Sequence, residues 1–423
     1  MSQNKGTVRA AFVAVTTLFF AWGFITSLID PLVAAVKGIF VLTDAQAQLS
    51  AFAFFIAYGV VSFPAAALIA KWRAVPAILV ALTMMVFSCL IMLGAANIAN
   101  YNLVLLGLFV LAAGITVLQV AANPLAAALG DPAKSHFRLT LAQTFNSFGT
   151  IIGPALGAGL FLSGVEVSEG VALTDEVRNN ALAGIDRAYF WICGLLIVLL
   201  LFFYFSRKTV AAAAPPIGSG KSMIALIQDA VSSRWAILGA AAIFLYVGAE
   251  VAIGTQMALF LASDTVWGIG LQDAGALVSF YWGGAFVGRL VGTALLYFFP
   301  APRLLTLFTA IASAMCLYVF FVGGVGAGYV ALAIGLFNSI MFPVIFTLTL
   351  ERSTASEEAT SALLCTGIIG GAFIPLLVGA VSGATSYGFA FIVPAICYAL
   401  LGGFAIFAAR AGSVRSATGP VSH

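Results

Sequence analysis

Long apolar stretches alternate with short polar ones along nearly the whole chain. A membrane-spanning helix needs about 20 predominantly apolar residues, and twelve stretches of this sequence meet that requirement. Their approximate bounds are 12–36, 46–70, 76–97, 101–129, 138–163, 188–206, 235–262, 274–298, 304–323, 327–350, 359–383 and 386–409. The pattern therefore predicts an all-α membrane protein with twelve transmembrane helices.

One interval between the apolar stretches is much longer and differently composed. Residues 207–233 read RKTVAAAAPPIGSGKSMIALIQDAVSS, a segment rich in alanine, proline and glycine that is typical of a linker. The chain is therefore predicted to consist of a six-helix bundle in residues 1–206, the linker in residues 207–233 and a second six-helix bundle in residues 234–423.

Composition narrows the class of protein further. Hydrophobic residues make up 62% of the chain and charged residues 8%, and the mean hydropathy is +1.12. No soluble arrangement has enough polar surface to cover such a chain, so the lipid bilayer is the expected surrounding. The net charge of +3 arises in a few loops and gives no support for a nucleic-acid partner. We expect the protein to function as a monomer.

The distribution of basic residues predicts the orientation in the membrane. Fourteen of the 18 Lys and Arg residues fall on the cytoplasmic side if the N-terminus is cytoplasmic. They are Lys5, Arg9, Lys71, Arg73, Lys134, Arg138, Arg207, Lys208, Lys221, Arg234, Arg303, Arg352, Arg410 and Arg415. This asymmetry follows the positive-inside rule, which places both termini and the linker in the cytoplasm.

The two bundles share a weak internal repeat. Aligning Pro124 with Pro343 places Gln119 opposite Asn338, and LFFAWGFITS in the first span aligns with IFLYVGAEVA in the seventh. Two related halves are typical of transporters that bind a solute near the membrane midplane, between the halves, and alternate access by rocking one bundle against the other. Asn338 is therefore a candidate ligand in the second half.

Amide side chains in the fourth and fifth spans are the main candidates for solute binding. Gln119 and Asn123 are four residues apart and share a helical face. Gln143, Asn146 and Thr150 form a second polar stripe, at i, i+3 and i+7. Amides both donate and accept hydrogen bonds, which suits a neutral polyhydroxy solute. The alternative is that these amides hold neighbouring helices together.

Asp30 is the acid of the first span and the main candidate for ion coupling. Thr26 and Ser27 lie one turn before it. Burial disfavours the charged form of a carboxyl group, so Asp30 is able to take up and release a proton as access alternates. The alternative is that Asp30 stays hydrated near the outer surface, since Pro31 and Lys37 follow it.

Glu250 in the seventh span has three alternative roles. The first two are a second cation site and a ligand for solute hydroxyls. The third is a partner for Arg289, because a lone charge inside a membrane is costly unless it is paired. Alternatively, Arg289 anchors its helix at the cytoplasmic surface. Tyr58 and Trp282 are the aromatic candidates for the wall of a cavity, although core packing is an alternative for each.

The sequence lacks the signals of an enzyme. It contains no His/Cys cluster with metal-ligand spacing and no nucleophile paired with a base, and His136 and His423 are its two histidines. We therefore predict no catalytic residue, no bound metal and no cofactor other than a coupling cation. An exporter of drugs or metabolites remains an alternative, because the chain is rich in aromatic residues and Gly153-Pro154 falls in the fifth span. The amide candidates argue against the apolar cavity of such an exporter.

Six blocks of the sequence resemble one known family. They are FFAWGFITSLIDPL, GITVLQVAANPL, HFRLTLAQTFNSFGTIIGP, FLYVGAEVAIG, WGGAFVGRLVGT and GLFNSIMFPVIFTLTLE. In this order they are similar to the fucose–galactose–glucose permease family of the major facilitator superfamily, and they span nearly the whole chain. The resemblance implies the major facilitator fold, with two pseudo-symmetric six-helix bundles, in a bacterial inner membrane. It also implies symport of a monosaccharide with a cation.

The resemblance also implies roles for individual residues. Asp30 matches the carboxylate of the first helix that the fucose branch uses in proton coupling. Gln119 stands where that branch has a glutamate, so the chain looks closer to the glucose/galactose branch, in which Glu250 supplies an acid. The expected solute is a hexose of the glucose, galactose or mannose type, or an N-acetylated hexose. A proton is the expected coupling ion, and the rival is sodium, bound by Asp30 with Thr26 and Ser27 or by Glu250.

Overall fold

The computed structural model describes residues 5–129, 135–163, 174–214 and 222–411, and every regular element within these ranges is a helix. The N-terminal half contains α1 (Lys5–Ser27), α2 (Ile29–Ile39), α3 (Asp44–Ala47), α4 (Leu49–Trp72), α5 (Ala74–Asn97), α6 (Tyr101–Ala128), α7 (Ser135–Phe161) and α8 (Asp175–Ala213). The rest of the chain contains α9 (Met223–Ser232), α10 (Arg234–Ala262), α11 (Leu271–Phe298), α12 (Ala301–Val322), α13 (Gly324–Asn338), α14 (Met341–Arg352), α15 (Glu357–Gly367), α16 (Gly370–Ala384), a 3-10 turn (Phe389–Phe391) and α17 (Ile392–Arg410). The prediction of an all-α protein is confirmed.

The helices have the length and composition of membrane spans. In the described ranges, 11 single helices or consecutive helix pairs are long and apolar enough to cross a membrane. The predicted fifth span is α7, a helix of 27 residues that carries the polar stripe of Gln143, Asn146 and Thr150. It packs against α1 of its own half and against α11 of the other half. The chain is therefore a multi-pass membrane protein with the predicted succession of spans.

The two halves repeat one packing scheme. In the N-terminal half α1 packs against α7, α4 against α6, and α5 against α8. In the C-terminal half α10 packs against α16, α11 against α13, and α12 against α17, which are the equivalent spans. A Cβ atom at Gly23 would overlap the backbone of Asn146 in α7, and one at Gly248 would lie 2.9 Å from the backbone oxygen of Gly370 in α16. The sequence repeat that aligned these two glycines therefore marks equivalent close contacts between helices.

Within the described ranges, the first, tenth and eleventh spans are each divided into two helices of 11 residues or more. The first span breaks at Leu28, between α1 and α2. There the amide of Leu28 donates to the carbonyl of Ile25, three residues earlier, at 3.3 Å. This bond closes a tighter turn than that of an α-helix. The tenth span breaks after Asn338, and the eleventh breaks at residues 368–369. In transporters, interrupted helices free backbone groups beside a binding site. Two of the breaks adjoin residues that the sequence singled out, Asp30 and Asn338.

The predicted linker contains a helix that docks on the C-terminal half. Leu226 and Ala230 of α9 pack against Ala355 and Ala359. The Oδ2 atom of Asp229 accepts a hydrogen bond from the Ser356 hydroxyl at 2.6 Å. The linker helix is thus fixed to the end of the C-terminal half where α14 meets α15. The domain boundaries at 206 and 234 stay a prediction, and α8 continues to Ala213.

Candidate functional site

A carboxyl group is buried between the two halves at the break in the first span. Asp30 lies in the first turn of α2, where the helix dipole favours a negative charge, and it is 4% exposed. Trp282 of α11 donates its indole N–H to Oδ2 of Asp30 at 2.6 Å. This hydrogen bond joins the N-terminal half to the C-terminal half. The alternative of a hydrated surface Asp30 does not fit its burial.

The two bonded side chains lie beside a small cavity of about 40 Å³. It is lined by Thr26, Ser27, Ile29, Asp30, Phe55, Thr150, Val251 and Trp282. The Thr26 hydroxyl is buried and has no hydrogen-bond partner among the described residues, whereas the Ser27 hydroxyl donates to the Phe24 carbonyl at 3.0 Å. A cavity of this size has room for a few water molecules, since one water needs roughly 10–15 Å³, but not for a larger solute. The structure therefore places Thr26, Ser27 and Asp30 together beside a small cavity whose exposed walls are mostly apolar.

The amides of α6 and α7 pair with one another and with neighbouring helices. Nε2 of Gln119 donates to the hydroxyl of Tyr58 in α4 at 3.0 Å. Nε2 of Gln143 donates to Oδ1 of Asn123 at 3.3 Å, which joins α7 to α6. Nδ2 of Asn146 donates to the backbone oxygen of Phe19 in α1 at 3.0 Å.

These contacts separate the amides into two groups. Asn146 joins α7 to α1 by donating to a backbone carbonyl, which is the alternative role of holding neighbouring helices together. Gln119, Asn123 and Gln143 are half-buried, as Asn146 is, but their bonds are of a different kind. They pair with other side chains rather than with backbone carbonyls. Tyr58 is almost completely buried, and its hydroxyl links α4 to Gln119.

Glu250 and Asn338 belong to a network inside the C-terminal half. The hydroxyl of Tyr246 donates to Oε1 of Glu250 at 2.6 Å and lies 3.2 Å from the backbone oxygen of Asn338. The hydroxyl of Tyr281 donates to the backbone oxygen of Glu250 at 3.1 Å. Nδ2 of Asn338 donates to the Tyr281 hydroxyl at 2.6 Å, and Asn338 is completely buried. Asn338 is thus buried and hydrogen-bonded to tyrosines, whereas Gln119, its counterpart in the sequence repeat, is half-buried.

Arg289 connects the halves at a second point. Its Nε donates to the backbone oxygen of Ser339 at 3.3 Å, and its Nη1 donates to the backbone oxygen of Gln143 at 3.4 Å and to the Ser147 hydroxyl. Tyr246 donates one hydrogen bond to the Glu250 carboxyl, and Arg289 lies near enough to act on that carboxyl electrostatically. The sequence missed the contact from Arg289 to α7, because nothing local in either segment indicates it.

The structure adds three tyrosine and tryptophan contacts to the predicted set. Tyr246 and Tyr281 organise Glu250 and Asn338, and Trp282 serves as the donor to Asp30 rather than only as an aromatic wall. A buried indole N–H needs an acceptor, and this requirement was the available signal for Trp282. Within the described ranges, no group of three or more His, Cys, Asp or Glu side chains lies close enough to hold a metal ion.

Comparison with known proteins identifies the family. The model of the Major Facilitator Superfamily matches residues 11–364. A glucose/galactose transporter of Brucella abortus is 38% identical over 400 residues, which cover 95% of this chain and 94% of the relative. The L-fucose-proton symporter of Escherichia coli K12 is 31% identical over 412 residues, with 94% of this chain and 92% of the relative covered.

A solved structure agrees in fold. The crystal structure of the major facilitator superfamily transporter FucP in the outward conformation superposes with a TM-score of 0.73 at 30% identity, covering 96% of this chain and 100% of that chain. Family model, relatives and fold agree with the repeated packing scheme and the buried site between the halves. They also show that the chain is a transporter rather than an enzyme. The chain belongs to the major facilitator superfamily and, within it, to the fucose–galactose–glucose permease family, with higher identity to the glucose/galactose transporter than to the fucose symporter.

Proposed function

We propose that this protein is a secondary active transporter that imports a monosaccharide together with a cation. The solute is a hexose of the glucose, galactose or mannose type, or an N-acetylated hexose. The observation that carries the coupling is the buried Asp30 carboxyl, which is hydrogen-bonded across the interface by Trp282. The relatives named as a glucose/galactose transporter and a fucose-proton symporter support the class of solute and the use of a coupling ion.

The sugar site lies between the halves, at the half-buried amides. Gln119, Asn123 and Gln143 offer donors and acceptors in the combination that sugar hydroxyls require, and in this structure their hydrogen bonds run to other polar side chains. A sugar replaces these bonds with its own hydroxyl groups. The cavity of about 40 Å³ is too small for a hexose, so sugar binding requires the halves to separate on one side. Asn146, Asn338, Glu250, Trp282 and Tyr58 form the surrounding frame.

A proton at Asp30 is the coupling ion that the geometry favours. One carboxyl beside a cavity with room for water suffices to bind and release a proton. The unpaired Thr26 hydroxyl on the same cavity favours the second candidate, sodium, because a Na⁺ site needs oxygen ligands beside the carboxylate. Glu250 is a less favoured sodium site, because one of its carboxyl oxygens already accepts from Tyr246. The amides argue against a drug exporter, whose solutes need an apolar wall.

The protein acts as a monomer in the bacterial inner membrane with both termini in the cytoplasm. The positive-inside distribution of Lys and Arg supports this orientation. A cysteine introduced at exposed Arg73, between α4 and α5, tests it. Labelling from the cytoplasmic side alone is the expected result, and labelling of intact cells by a membrane-impermeant reagent would reverse the orientation.

Purified protein in liposomes tests coupling and solute. Uptake of radiolabelled glucose, galactose, mannose and N-acetylglucosamine is measured under an imposed pH gradient and, separately, under an imposed sodium gradient. We expect accumulation of at least one hexose under the pH gradient and its loss when an ionophore collapses that gradient. Accumulation under the sodium gradient alone would assign the coupling to sodium. Equal uptake with and without either gradient would make the protein a facilitator, and transport of none of the sugars would contradict the proposed solute class.

A further inference from the structure

A second buried polar cluster joins the halves far from the site described above. It lies at what we call the distal end, where α2 meets α3, α5 meets α6 and α12 meets α13, opposite the end that carries α9. Lys37, in the last turn of α2, is 6% exposed and forms an ion pair with Asp44, the first residue of α3. Nζ of Lys37 also donates to the hydroxyl of Tyr387 in the C-terminal half at 2.7 Å. The ion pair is therefore capped by the other half of the molecule.

Asp44 is held from the C-terminal half on both of its oxygens. The Tyr387 hydroxyl donates to Oδ1 of Asp44 at 3.1 Å, and the Ser382 hydroxyl of α16 donates to Oδ2 at 3.1 Å. Nε2 of Gln256 in α10 donates in turn to the Ser382 hydroxyl at 3.0 Å. We call Lys37, Asp44, Gln256, Ser382 and Tyr387 the distal clamp.

A neighbouring bond crosses the interface beside the distal clamp. The Thr255 hydroxyl of α10 donates to Oε1 of Gln48 at 3.0 Å, and both residues are almost completely buried. Lys37 also lies 5.4 Å from the centre of the Tyr387 ring, within the range of a cation–π interaction. Helices α2 and α3 of one half, together with Gln48 after α3, are therefore bonded to α10, α16 and the segment after α16 of the other half.

The ion pair of the distal clamp is stable in two states, either fully hydrogen-bonded and buried or hydrated, and is unstable between them. A buried ion pair is costly to desolvate and is stable only when further hydrogen bonds satisfy its remaining groups. Here Tyr387 and Ser382 supply those bonds. Removing one partner leaves an uncompensated buried charge, and a small separation of the halves has the same effect until water enters. The end is stable either fully closed or open and hydrated.

We propose that the distal clamp is the lock that holds the distal end of the two halves closed, so that opening toward that side requires its ion pair to become hydrated. The lock consists only of contacts within and between the halves, so it does not depend on which solute or ion is carried. With the termini in the cytoplasm, this lock closes the outer face. It acts apart from the coupling site, because none of its members lines the cavity at Asp30.

Distances between spin labels test the lock directly. One label replaces Ile98, between α5 and α6, and the other replaces Val325, at the start of α13; these residues are 64% and 60% exposed and lie at the distal ends of opposite halves. The five free cysteines are replaced by alanine in the background protein. Pulsed electron paramagnetic resonance then measures the distribution of label distances in lipid nanodiscs without sugar.

Two variants weaken the lock to different degrees, and a third variant is the matched control. Lys37→Met removes the charge and keeps the length of the chain, so the ratio of open to closed populations should rise at least about tenfold. Tyr387→Phe keeps the ring and removes only the hydroxyl, so the ratio should rise about threefold to tenfold. Lys71→Met removes an exposed charge at the opposite end of the same half and should leave the distribution unchanged.

The proposal fails if Lys37→Met and Tyr387→Phe both show the distance distribution of the parent protein. If Lys37→Met does not fold, Tyr387→Phe alone decides the matter, because its ring packing is preserved. A label pair at Arg73 and Phe299, on exposed turns of the opposite end, reports whether a change is local. Lengthening there together with distal lengthening would indicate general loosening and would also overturn the lock. Because no sugar is added, failure of the proposed function leaves this result unaffected.

Discussion

Asp30 and Glu250 are both acids inside membrane-spanning helices, but they are held in opposite ways. Asp30 accepts its hydrogen bond from Trp282, in the other half of the molecule. Glu250 accepts its hydrogen bond from Tyr246, one turn earlier in the same helix. Asp30 also borders a cavity with the Thr26 hydroxyl, which has no partner among the residues that the structure describes, whereas Glu250 does not line that cavity.

The bond at Asp30 therefore depends on the relative position of the two halves, whereas the bond at Glu250 does not. We propose that Asp30 loses or gains this partner when the halves move, so that its affinity for a cation and the relative position of the halves depend on each other. Glu250 keeps Tyr246 throughout, because both lie on α10. We therefore propose that Asp30 carries the coupling and that Glu250, beside Arg289, has a supporting electrostatic role.

Asp30→Asn should have the largest effect. The amide keeps the shape and still accepts from Trp282, but it cannot bind or release a proton. We expect gradient-driven accumulation to fall to the level of empty liposomes, while exchange of labelled for unlabelled sugar across the membrane persists. Uptake and counterflow assays on the same proteoliposomes measure the two quantities. If sugar binding itself disappears, Asp30 is a sugar ligand and the assignment of coupling is wrong.

Trp282→Phe should have the next largest effect. It removes the bond between the halves at Asp30 and keeps an aromatic ring, and a hydrogen bond to a charged group contributes about 1.5–3 kcal/mol. Gradient-driven accumulation should fall about tenfold, with counterflow changed by less. Trp191→Phe is the matched control, since Trp191 is 69% exposed on the outside of the bundle. Normal accumulation in Trp282→Phe would show that the bond between the halves does not matter for coupling.

Glu250→Gln should lower transport without uncoupling it. The Gln side chain still accepts from Tyr246, but the Arg289 charge loses its acidic neighbour. We expect uptake to fall about fivefold, the effect of roughly 1 kcal/mol, while the ratio of uptake with and without the gradient stays that of the parent. Initial rates under both conditions give this ratio. A ratio near one, as expected for Asp30→Asn, would make Glu250 a second coupling acid.

Gln119→Ala should have the smallest effect of the four. It removes the amide that pairs with Tyr58, and we expect the Kd for sugar to rise about fivefold to tenfold through loss of one hydrogen bond. Calorimetric titration measures the Kd, and Tyr58→Phe, which keeps the ring, serves as the companion variant. An unchanged Kd in Gln119→Ala would remove this residue from the sugar site.

The fold and part of the site followed from local patterns. Apolar periodicity predicted the spans. The i, i+4 spacing of Gln119 and Asn123 lies on α6, where Gln119 bonds to α4 and Asn123 to α7. The weak repeat correctly marked Gly23 and Gly248 as equivalent helix contacts. It also paired Gln119 with Asn338, but it gave no sign that Tyr281 and Tyr246 enclose Asn338 and not Gln119.

The contacts between the two halves could not be predicted from the sequence. Lys37 and Tyr387 are separated by 350 positions, and their bond depends on how two bundles dock, which no local spacing encodes. The same holds for Asp30 with Trp282 and for Arg289 with Ser147. The sequence assigned Lys37 only to the outer surface. Its burial beside Asp44 follows from packing of α3 against α16.

The close packing of α7 on α1 limits how the specificity of this transporter is able to evolve. Side chains added at Gly149, Gly153 or Gly157 would overlap α1 or α2, so α7 is unable to rotate or shift to suit a new solute. Thr150, on the same helix, lines the cavity from a fixed direction. A change of solute therefore has to come from exchanging individual polar side chains in place rather than from remodelling the helix.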